Sequence, residues 1–68
     1  MERDELLEDR AAFIAGEIGG AVVELIIDGA TIDRDAIVER LEAKLRSVGN
    51  VIRKGLLRDA AEFVRKGR

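Results

Sequence analysis

Residues 11–27 read AAFIAGEIGGAVVELII, and this stretch decides the fold. Almost every position is apolar or small, and only Glu17 and Glu24 are charged. The two glutamates are two helical turns apart, so they fall on one narrow stripe, which Arg10 extends by two more turns. The rest of the helix is apolar nearly all round, and such a helix must be covered on several sides. Two lines run along it. Leu7, Ala11, Ile14, Ile18, Ala21 and Leu25 recur at alternating spacings of four and three, an a/d seam. Ala12, Gly16, Gly20, Val23 and Ile27 run along another face, where small residues would let a neighbouring helix come close. The reading is a central helix with one face for its own chain and one for a partner chain. Ala12, Gly16, Gly19, Gly20, Val23 and Ile27 are the expected dimer interface.

Length points the same way. Sixty-eight residues make one domain at most. A chain this small buries a modest share of its surface and is marginal alone. Ordering costs about 1.5 kcal/mol per residue, which a small core barely offsets. With no Cys and no His, disulfides are excluded and a zinc staple is not expected. Oligomerisation is the remaining staple. The lack of Cys fits a cytoplasmic location. The first ten residues, MERDELLEDR, are acidic where a signal peptide is basic. A membrane-spanning helix is not expected either, because Glu17, Glu24 and three glycines interrupt the longest apolar run.

The net charge of −2 hides an asymmetry. Residues 1–30 hold eight acids and two bases, and residues 31–68 hold six acids and ten bases. Such a split suits nucleic-acid contact through the basic half, or attraction between the two halves within a dimer.

Taken in order, the chain predicts three helices, over about 4–27, 34–47 and 51–65. Asp4, Glu5, Glu8 and Asp9 crowd the start of the first and complement its dipole. Gly19-Gly20 is its weak point, each glycine costing about 1 kcal/mol relative to Ala. The 3–4 spacing continues across the pair, so one helix is favoured over two. Asp28-Gly29 ends it, with Gly29 as left-handed cap. Asp33 is the N-cap of the second helix, which places Ile32 and Ile37 as its hydrophobic staple. Ile37, Leu41, Leu45 and Val48 line one face, and Glu42 with Arg46 makes an i,i+4 pair. Gly49-Asn50 stops this helix, and Asn50 caps the third. There Ile52, Leu56, Ala60 and Phe63 are the expected apolar face, with Leu57 and Val64 at its edge. The last residues should fray.

Chemistry is scarce. Without His or Cys the commonest general bases and thiol nucleophiles are missing. Ser47 and Thr31, the only hydroxyl residues, read as turn or cap residues. Carboxylate pairs sit on polar helix faces, and such charge runs read as solvated. Gly16, Gly19 and Gly20 match no phosphate-loop fingerprint. No catalytic residue, cofactor or metal is expected.

The basic row of the third helix is the one candidate for ligand contact: Lys54, Arg58, Arg65 and Arg68, flanked by Arg53 and Lys66. Such a row suits phosphates. Asp59 and Glu62 dilute it, and Phe13 and Phe63 read as core rather than as stacking platforms. The helix-turn-helix pattern fails at Leu45 and Gly55, where a small and an apolar residue are wanted.

The stretch IGGAVVELIIDG, an I-D-x-x-x-I helix start, and LEAKLRSVGNVIRKGLLRDAAEFV together resemble the small enterobacterial regulators of the YmgB/AriR type. The resemblance covers about residues 18–65. It rests on Ile18, Val22, Leu25, Ile26, Ile32, Ile37, Leu41, Leu45, Ile52, Leu56, Leu57 and Val64, with Gly29 between the first two helices. The chain departs from it in the glycine pair, the alanine-rich first helix and the basic C-terminus. The resemblance implies an all-α homodimer regulating biofilm formation and acid resistance, as a connector to two-component signalling or by associating with DNA. The expectation is therefore an all-α chain of three helices, the first long and apolar, in an intertwined or side-by-side homodimer. It is a cytoplasmic connector whose partners are itself and another regulatory protein, with DNA as the alternative. A structural assembly subunit is a third possibility, and no membrane is involved.

Overall fold

The computed structural model describes the backbone of residues 2–67 and the side chains of residues 9–67. Expectations for the side chains of Asp4, Glu5, Leu7 and Glu8, and for Arg68, lie outside the described residues. Three helices follow in order: α1 (Glu2–Ile27), α2 (Arg34–Ser47) and α3 (Val51–Lys66). Among the described residues there is no strand. α1 runs unbroken through Gly19-Gly20.

The helix ends are set by local chemistry. Gly29 takes φ 68° after α1. The Ala30 amide donates to the Leu25 carbonyl at 2.9 Å, and the Gly29 amide to the Ile26 carbonyl at 3.1 Å. This is the Schellman pattern, which satisfies carbonyls that the helix leaves unpaired. Asp33 Oδ1 accepts from the Ala36 amide at 2.8 Å and starts α2. Asn50 Oδ1 accepts from the Arg53 amide at 3.0 Å and starts α3. Ser47 Oγ donates to the Lys44 carbonyl at 3.1 Å in the last turn of α2, as befits a terminal hydroxyl.

The core is small. Ala21, Leu41, Leu57, Ala60 and Ala61 are buried together, with Ile14, Ile18, Ile37, Leu45, Val48 and Val64 packed against them. Leu25 and Val38 are also buried. The alanines at the contacts let the helix axes approach, and Leu41 and Leu57 fill the space between. The seam of α1 faces this core from Ile14 to Leu25, while Ala11 at its start is exposed.

α3 is turned relative to the expectation. Leu57, placed at the edge of its apolar face, is fully buried, whereas Ile52 is 77% and Phe63 67% exposed. The reason is the pair Ala60-Ala61. Small side chains at both positions let α3 lie close to its neighbours, and the face that fits around them centres on Leu57 and Val64. Phe13, also expected in the core, is 62% exposed, because it lies on the α1 flank away from Ile14 and Ile18.

Candidate interaction faces

The stripe Arg10, Glu17, Glu24 is paired with the other two helices. Arg10 pairs with Asp59 of α3. Glu17 takes a two-pronged contact from Arg53, whose Nε donates at 3.0 Å and Nη2 at 3.3 Å. Glu24 meets Lys44 at 2.5 Å and Arg40 at 3.6 Å on α2, and Arg40 also reaches Asp28 at 2.8 Å. The N-terminal half of α1 therefore meets α3, and its C-terminal half meets α2. Glu17, Glu24 and Asp28 of the acidic half thus meet bases of the other half within one molecule. Paired so, the Arg53 guanidinium holds its proton more tightly than usual, chiefly through its hydrogen bond to Glu17.

These pairs fix which way α1 faces. With the glutamate stripe turned toward α2 and α3, the opposite side points outward. It carries Ala12, Ala15, Gly16, Gly19, Val23, Ile26 and Ile27, all exposed. Of the six residues expected at a dimer interface, five lie on this face, and Ile27 is 76% exposed. Gly20 does not. It is half-buried beside α2, where a Cβ would meet Lys44 Nζ at 3.4 Å. The ion pair between Lys44 and Glu24 brings that ammonium over the glycine. The outer face also includes Ala15 and Ile26, which the linear spacing missed. Steps of 100° per residue place both among Ala12, Gly19 and Val23.

The basic row on α3 is only partly available. Arg65 is engaged twice, by Glu42 at 2.5 Å and by Glu62 at 2.8 Å. Its pKa is raised, chiefly by the hydrogen bond to Glu42. Glu42 thus spans to α3 instead of pairing with Arg46 along α2. Lys66 pairs with Glu62 at 3.2 Å, and Arg53 with Glu17. The Glu62 carboxyl is held below its ordinary pKa, first by the hydrogen bond from Lys66 and then by Arg65. Among the described residues, Lys54 and Arg58 form no ion pair within 4.0 Å.

An apolar groove of about 430 Å³ lies between Ile14 and the end of α3, lined also by Phe63, Gly67, Asp59, Glu62 and Lys66. A second, more polar hollow of about 470 Å³ lies along α2 between Leu25, Arg40 and Arg46. Neither brings a nucleophile to a base. Among the described residues no group of three metal-ligating side chains converges, and no helix is long and apolar enough to cross a membrane. Compared with known protein families, with curated proteins and with solved structures, the chain matches none.

Proposed function

We propose that the chain is a non-enzymatic interaction module, a homodimer that connects regulatory proteins in the bacterial cytoplasm, as the YmgB/AriR resemblance implies for biofilm and acid-resistance signalling. The observation that carries this reading is the outer face of α1. Over four helical turns it offers alanine, glycine, valine and isoleucine to solvent with no charged residue between them. A contiguous apolar surface rimmed by charge marks a protein contact. Val51, Ile52 and Phe63 on α3 are exposed as well. One surface for self-association and another for a second protein is what a connector requires.

The nucleic-acid reading has less support. Arg65, Lys66 and Arg53 are tied to Glu42, Glu62 and Glu17, so among the described residues of the α3 row only Lys54 and Arg58 stand outside these ion pairs. A row with few unengaged cations gives a shallow salt dependence.

Sedimentation equilibrium at micromolar concentration, with a pull-down before and after nuclease, tests the proposal. Val23→Glu should give a folded monomer. Phe63→Glu should keep the dimer and lose captured protein. A wild-type monomer, or capture that nuclease abolishes, would sink it.

A further inference from the structure

The outer face of α1 is graded. Its N-terminal half is small, with Ala12, Ala15, Gly16 and Gly19, and its C-terminal half is bulky, with Val23, Ile26 and Ile27. We propose that a second copy of this chain covers the face with its own α1 running antiparallel, the two-fold axis passing beside Gly19. This rests on the homodimer reading given above and specifies its geometry.

Volume decides the direction. In an antiparallel pair centred beside Gly19, Ala12 lies opposite Ile27 of the second copy, and Gly16 opposite Val23. Each large side chain meets a small one along the whole contact, so the helix axes stay evenly close. A parallel pair sets Gly16 on Gly16 and Ile27 on Ile27. It leaves voids at one end and crowding at the other, and interiors tolerate neither. Antiparallel helices also oppose their dipoles.

Size and charge favour a second copy as the occupant. The face carries its small residues at one end and its bulky ones at the other, so it complements itself when reversed. Two acidic helices would ordinarily repel. Here Glu17 and Glu24 are already met by Arg53, Arg40 and Lys44 of their own chain, which removes that objection. The face itself carries no Lys or Arg, which an anionic lipid surface would favour.

The chain has no cysteine, so single Cys variants report without background. Ala12→Cys and Ile27→Cys both fall at exposed positions, and circular dichroism checks that each folds. The two sites are about 22 Å apart along the helix, well beyond disulfide reach. After subunit exchange and mild oxidation, a mixture of the two variants should give a mixed disulfide. Neither variant alone should cross-link. Gly16→Cys with Val23→Cys should behave likewise.

Self-cross-linking of each variant alone would overturn the antiparallel direction while leaving the dimer in place. A dimer by sedimentation that cross-links in no combination would show that another face is used. A wild-type monomer would overturn the dimer reading itself. If that monomer floats with phosphatidylglycerol vesicles, the face belongs to a lipid surface. If it does not, the face belongs to a different protein.

Discussion

Leu57→Ala and Phe63→Ala together test how α3 is turned in the core. Leu57 is fully buried against Ala21, Leu41 and the alanines of α3. Truncating it removes the transfer energy of its methyl groups and leaves a cavity, at a cost of about 2–5 kcal/mol. A protein of this length has roughly 3–10 kcal/mol of stability in all, so the variant should lose much of it or fail to fold. Phe63 is 67% exposed. Full burial of such a side chain contributes about 1.5–3 kcal/mol, and a third of that is about 0.5–1 kcal/mol. In a domain of this size 1 kcal/mol shifts Tm by about 4–8 °C. Phe63→Ala should therefore melt within several degrees of wild type, and Leu57→Ala lower by about 8 °C or more. Thermal melts followed at 222 nm, at one fixed protein concentration because association raises stability, give both values. If Phe63→Ala costs as much as Leu57→Ala, the placement of Leu57 at the centre and Phe63 outside is wrong.

Other substitutions probe the helix ends and the ion pairs. Gly29→Ala puts a Cβ on a residue at φ 68° and should cost about 1–2 kcal/mol, read as a lower urea midpoint with unchanged slope. Asp33→Ala removes the cap on the Ala36 amide and should cost about 1 kcal/mol, whereas Asp33→Asn should cost much less. Glu62 has a lowered folded pKa, so it stabilises the fold at pH values above its unfolded pKa, and this is lost as pH falls through the folded value. Glu62→Gln should accordingly destabilise slightly at pH 7 and match wild type under strong acid, as urea midpoints across pH 2–7 will show. Changing Lys54, Arg58 and Arg65 together to Gln should leave a low-salt mobility-shift titration with random duplex as blank as for wild type. Tight wild-type binding that the triple change abolishes would restore the nucleic-acid reading.

The helix ends were legible because each depends on one residue and its immediate neighbours. Asp33, Asn50 and Gly29 act within their own turn, and no distant part of the chain alters what they do. The phase of α3 was not legible. Ile52, Leu56, Ala60 and Phe63 make as good an apolar line as the face centred on Leu57, and large side chains tempt the reader toward the first. What decides is that Ala60-Ala61 permit a close approach, a property of the neighbours as much as of the helix. Likewise a carboxylate two turns from another looks the same on paper whether water or arginine faces it. Glu17 and Glu24 could be assigned only when Arg53, Arg40 and Lys44, sixteen or more residues away, were seen beside them. The ammonium beside Gly20 was hidden for the same reason, since it belongs to another helix. The outer face of α1 was visible in outline from its lack of charge, and the helical step supplied Ala15 and Ile26.

The salt links along α1 divide the molecule into an acidic rod and a basic clasp, joined by the exposed connection 28–33. A chain opened at that connection would yield two fragments of opposite charge, each holding part of one core: Ala21 and Leu25 in the first, Leu41 and Leu57 in the second. Long-range attraction would speed their encounter, and the apolar contacts would then hold them in register. Separately purified, the fragments should be largely unstructured and should regain helix on mixing, more readily at low ionic strength than at high.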